Sequence, residues 1–107
     1  MTDEAIKSIF QDAEDFERRI LRQGEDKLYA YYIDGLTSGS DIAEYVFRPV
    51  VELLPRPVEE AYRAALAGKI YNAVAKPCED LKEVAQRIVN GFCVILFPGV
   101  GALALEV

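Results

Sequence analysis

The sequence holds 107 residues, 51% apolar and 28% charged, which is the composition of a globular domain and not of a disordered or collagen-like chain. Eighteen acidic residues against twelve basic ones give a formal charge of −6, the opposite of what a stand-alone nucleic-acid binder needs to displace phosphate counterions. Histidine is absent, which removes His-dependent triads and the commonest general base, and the longest apolar run, Phe92 to Phe97, is six residues where a membrane helix needs about 20.

In chain order, the first element reads as an amphipathic helix over about Asp3 to Gln23, within an acidic N-terminal segment of residues 1–26. Ile6, Ile9, Phe10, Ala13, Phe16 and Ile20 form a stripe near the 3.6-residue period. Thr2 is placed to cap it. Asp3 and Glu4 suit its positive end, Arg18, Arg19 and Arg22 its negative end, and Gly24 its C-cap. Leu28 to Asp34 reads as a strand with apolar residues on both faces, hence one covered on both sides. Gly35 ends it. Ser38 and Asp41 make a box-like start for a helix whose apolar face is Ile42, Val46, Pro49, Val50 and Leu53, with a kink or restart expected at Pro49.

Pro57 suits the first turn of a further helix, with Val58, Ala61, Tyr62, Ala65 and Leu66 on its apolar face and Gly68 closing it. Lys69 to Ala75 is ambiguous between strand and helix, and Pro77 is read as its break. Asp80 and Glu83 form a second capping box, before a helix striped by Leu81, Val84, Ala85, Ile88 and Val89 and ended by Asn90-Gly91. Phe92 to Phe97 is a fully apolar strand. Pro98-Gly99 fits a type II turn and Ala102 to Val107 the return strand. The expected fold is α/β: a single subdomain with a small mixed sheet of about four strands flanked by helices.

Chemistry is sparse in this pattern. Asp34 and Gly35 end an apolar strand just before a helix, where ligands of open sheets tend to sit, and Ser38 and Ser40 lie where backbone N–H groups could meet an anion. These four form the candidate ligand site, beside the plainer reading of a structural turn. Tyr29 and Tyr31 share one strand face and Tyr32 takes the other, so the three cannot form one aromatic cage. Cys78 precedes a helix start, where a thiol pKa can fall, and Cys93 sits inside an apolar strand. Without CxxC spacing both are expected reduced, with no metal and no cofactor. No nucleophile–base pair is legible, so no catalysis is expected.

Specific residues also resemble a known family. Asp15-Phe16-Glu17-Arg18-Arg19, then Lys27 into Leu28-Tyr29-Ala30-Tyr31-Tyr32-Ile33-Asp34-Gly35-Leu36, is similar to the opening of the GerA spore germination family, the A subunits of nutrient germinant receptors with their SpoVAF-type relatives. Ser40 to Val50, with its proline, resembles the family's next helix. Arg87 to Phe97 with Ala102 to Leu105 resembles its helix–glycine–strand–turn–strand block. The likeness runs in order over residues 12–107, departing at Pro98-Gly99-Val100-Gly101, where the family has an aspartate-glycine turn, and at Pro55-Arg56-Pro57.

The resemblance implies the first part of the soluble N-terminal domain of a membrane-associated germinant receptor. Its role would be signal transduction: sensing a small nutrient ligand or relaying its signal. The whole protein would sit in the spore inner membrane, with this domain on the cytoplasmic side. Its partners would be a second soluble lobe, a membrane domain and the other receptor subunits, and the fragment would self-associate near an uncovered Ala102–Val107 edge. The alternative is a free-standing regulatory module resembling the STAS domains, for which a phosphorylatable serine, Ser38 or Ser40, would be the mark.

Overall fold

The computed structural model describes residues 1–23, 25–36, 39–69 and 74–106. In these residues five strands, β1 (Phe16–Gln23), β2 (Asp26–Ile33), β3 (Val74–Cys78), β4 (Cys93–Phe97) and β5 (Gly101–Glu106), form one sheet in the order β1-β2-β4-β5-β3, and every pairing is antiparallel. Helices cover both faces, so the α/β class and the single compact subdomain are as expected. The sheet has one strand more than the four or so expected and is antiparallel throughout where a mixed sheet was expected, since hairpins join two of its four strand pairs.

The extra strand comes from the segment read as helix. Helix α1 runs only Asp3–Ile9, capped by Thr2, whose Oγ1 accepts the Ala5 N–H at 3.2 Å. The chain then leaves the helix in two short turns, Ala13 N–H to Phe10 C=O and Phe16 N–H to Ala13 C=O. It enters β1, Phe16–Gln23, which pairs residue by residue with β2, Asp26–Ile33. The helical stripe fails at two of its members: Ile9 and Ile20 are 45% and 41% exposed. Its other members, Ile6, Phe10, Ala13 and Phe16, do share one apolar layer, reached by a turn and not by a continuous helix. Arg18, Arg19 and Arg22 therefore stand on a strand and not at a helix end. Gly24, read as the cap, lies outside the described residues.

β2 lies between β1 and β4, and β4, Cys93–Phe97, between β2 and β5, Gly101–Glu106. Both expected inner strands are therefore interior. Alternation along them divides the core into two layers. Leu28, Ala30, Tyr32, Cys93, Ile95, Phe97, Leu103 and Leu105 meet the helices of the middle segment on one face. Tyr31, Ile33, Val94, Leu96, Ala102 and Ala104 meet α1 and α5, Leu81–Val89, on the other.

The middle segment starts as α2, Gly39–Ile42, and its expected start at Ser38 lies outside the described residues. Pro49 has no N–H for the carbonyl of residue 45, and its ring crowds that turn. The helix responds with a wide turn over Ala43–Phe47, in which the Arg48 N–H reaches back to the Ala43 C=O, before α3, Arg48–Glu52, resumes. α4, Val58–Ala64, follows Pro57 and unwinds over Ala65–Lys69, with Gly68 at φ 97°. Within the ambiguous stretch, residues 70–73 lie outside the described residues, while Val74 and Ala75 open β3, Val74–Cys78. Pro77 does not break this element. It sits within β3 opposite Leu103, which is tolerated because β3 is an edge strand.

The second capping box forms at α5, with Asp80 Oδ1 accepting the Glu83 N–H at 2.8 Å. The Glu83 carboxylate bonds the Glu79 N–H rather than that of Asp80. The expected type II turn also forms: Val100 N–H donates to Phe97 C=O at 2.9 Å, with Gly99 at φ 76°. The C-terminal strand differs from expectation in its place. β5 is paired on both sides over Ala102–Leu105, which is fully buried, so the sheet's open edges are β1 and β3. Val107 lies outside the described residues.

Candidate functional site

Asp34 extends β2 by one residue: its N–H donates to the Asp15 carbonyl at 2.8 Å, and its side chain is exposed. Leu36 N–H then returns to Ile33 C=O at 3.3 Å, with Gly35 at φ 92° in the third position of the turn. A Cβ at Gly35 would meet nothing within 4 Å, so glycine is needed there for its backbone alone. Ser38 lies outside the described residues. Ser40 is exposed in the first turn of α2, which also carries Asp41. Asp34, Gly35 and Ser40 thus flank one strand-to-helix connection. Two carboxylates, Asp34 and Asp41, belong to that connection, and their charge disfavours an anion there.

The side-chain cluster that the structure does assemble lies at α1. Asp3 takes Arg18 in a two-pronged ion pair, its Oδ1 accepting Nε at 2.9 Å while its Oδ2 accepts Nη2. The same Oδ1 accepts the Tyr31 hydroxyl at 2.7 Å. Burial works to raise the Asp3 pKa, but the hydrogen bonds from Arg18 and Tyr31 and the charge of Arg18 outweigh it, and the carboxyl lies below its ordinary value. Burial, then the Asp3 carboxylate, pushes the Tyr31 phenol far up, so it serves as a neutral donor. Phe16 stacks between Phe10 and Tyr31, with ring centroids 4.6 and 6.0 Å away. The cluster fastens α1 to the sheet.

Two adjoining hollows of about 510 and 310 Å³ share Met1, Leu96 and Gly99 and run along the Pro98-Gly99 turn. The larger is floored by Phe97, Tyr62 and Cys78, and the smaller is bounded by Thr2, Asp3, Glu4 and Tyr29. Tyr62 packs edge-on against Phe97 at 5.3 Å. Position 101 beside it is glycine, where a Cβ would stand 3.3 Å from the Tyr62 ring and press it by a few tenths of an ångström. The floor of this cleft is apolar, and of the carboxylates at its rim Asp3 is held by Arg18 and Tyr31 and Glu4 by Lys7. Nothing in the sequence pattern pointed to the cleft, since its walls come from five separate stretches of the chain.

Cys78 faces that cleft but is 6% exposed, and Cys93 is wholly buried on the other sheet face. The helix-start effect expected to lower the Cys78 pKa loses to burial, seconded by the Glu83 charge, which lifts it to about 11. Burial alone lifts Cys93 to about 12. Tyr29 and Tyr31 lie on one face and Tyr32 on the other, as the alternation required.

No protein-family model and no curated protein sequence matches this chain. Among solved structures its fold is similar to the N-terminal domain of the A subunit of the Bacillus megaterium spore germinant receptor GerK3. The TM-score is 0.68 at 13% identity, over 95% of this chain and 42% of that one. At that identity the likeness is one of fold, and the chain spans less than half the length of the structure it matches.

Proposed function

We propose that this chain is a non-catalytic part of a spore germinant receptor A subunit, sensing a germinant or relaying its signal to partner subunits. The observation that carries the reading is the fold likeness to such a domain over 95% of the chain. The ordered sequence resemblance of residues 12–107 supports it independently. In this reading the remaining lobe, the membrane domain and the other subunits are the partners, and the receptor works at the spore inner membrane. The cleft along the Pro98-Gly99 turn is where a nutrient would enter. Among the described residues no helix is long and apolar enough to cross a membrane, so this part would act from beside it.

Deleting the coding sequence from the source organism tests the proposal. Spore suspensions should lose optical density more slowly, or not at all, after addition of at least one amino acid or sugar. Restoring the sequence should restore the response. An unchanged response to every nutrient, or a source that forms no spores, would sink it.

A further inference from the structure

β1 is an edge strand whose outer side pairs with nothing among the described residues. Its hydrogen-bonding phase follows from the Asp34 N–H bond to Asp15 C=O and the register Phe16↔Ile33. In an antiparallel ladder, bonded and non-bonded pairs alternate. Asp15 is therefore in the bonded phase, followed by Glu17, Arg19, Leu21 and Gln23. Phe16, Arg18, Ile20 and Arg22 turn their N–H and C=O groups outward. The Phe16 N–H is spent on Ala13, which leaves Arg18, Ile20 and Arg22 presenting an unused ladder.

The side chains of those three residues stand on the α1 side of the sheet, where Ile20 is 41% exposed and pairs with Tyr29. Arg18 lies 5.0 Å and Lys27 5.8 Å from the Tyr29 ring centroid, and Arg22 is opposite Lys27. The eight residues of β1 carry three arginines and one glutamate in a chain of net charge −6. Pairing with a second copy about Ile20 would set Arg22 of one copy against Arg18 of the other, whose charge Asp3 already meets, so a second copy brings Arg22 and Lys27 no free carboxylate. A strand with carboxylates at alternate positions brings them that charge.

We propose that the outer edge of β1 is a docking site for an extended acidic segment of another protein, which adds a sixth strand beside Arg18, Ile20 and Arg22. The backbone ladder supplies the pairing, and Arg22, with Lys27 beside it on the same sheet face, selects a strand whose alternate side chains, all turned to that face, are carboxylates. This inference stands apart from the receptor reading, since it rests on the edge and its charges alone.

The test uses the full chain and a capped seven-residue peptide alternating valine with glutamate, followed by amide NMR and hydrogen exchange. Binding should slow exchange at the Arg18, Ile20 and Arg22 amides and weaken as salt is raised. The same peptide with lysine for glutamate, or with alternate backbone nitrogens methylated, should not bind. Arg22→Glu, an exposed change, should keep the native circular dichroism and weaken binding by about tenfold or more. Ile20→Pro, which removes one outward donor on an edge where proline is tolerated, should do likewise. The proposal is overturned by no protection at these amides, by equal binding of the lysine peptide, by an unchanged affinity in Arg22→Glu, or by a dimer formed through β1.

Discussion

Asp3 is the residue on which the N-terminal helix depends, because one carboxylate meets both Arg18 and Tyr31 from the first turn of α1. Replacing it by asparagine removes a charge-assisted pair that is 13% exposed on the Asp3 side, and should cost about 1.5–3 kcal/mol at pH 7. The sign of the pH dependence follows from the lowered pKa. That stabilisation is full above the unfolded carboxyl pKa of about 3.9 and fades as pH falls through the lower folded value. Urea titrations of both proteins across pH should therefore converge in strong acid, and a constant gap would refute the ion pair's role. The thiols give a second residue-scale test. Cys78 and Cys93 point into different apolar layers and are lifted to about 11 and 12, so a disulfide reagent should find two thiols on unfolding and react only slowly with the native chain.

Among elements, the legible ones were those whose fate is decided by local pattern. β2 and β4 carry apolar residues on both faces and could only be interior. α5 announced itself through Asp80 and Glu83, and the Pro98-Gly99 turn through its two residues. β1 was hidden because Ile6, Phe10, Ala13 and Phe16 truly face one layer, and their spacing fits a helix as well as it fits a helix, two turns and a strand. With β1 read as helix, the Asp3–Arg18–Tyr31 cluster could not be seen, since a strand is what brings residues 3, 18 and 31 together. The Asp34-Gly35 connection was legible as a turn, and a turn is what the backbone shows. Gly35→Ala should cost about 1 kcal/mol through its φ of 92° alone, with no steric addition, as thermal unfolding would register.

For the whole molecule, the two apolar layers share every residue's backbone through one sheet, so neither layer can be lost while the other stays. Leu103→Ala empties a fully buried site in the layer under α2–α4 and should cost about 2–5 kcal/mol. Ala104, its neighbour, belongs to the opposite layer, so α1 and α5 should loosen in the same transition. Far-ultraviolet circular dichroism and tyrosine fluorescence should give superimposable unfolding curves in wild type and variant alike. Separate midpoints would mean that the layers are independent.

The adjacency of Tyr31 and Tyr32, with rings in opposite interiors, has a consequence for how the gene can change length. Removing one codon from the middle of β2 reverses the parity of all that lies on one side of the cut, so each interior receives the other's side chains. Removing two codons restores parity and leaves only a shorter strand. A chain lacking two residues of β2 should thus be recovered in folded form more readily than one lacking a single residue, although it has lost more of itself.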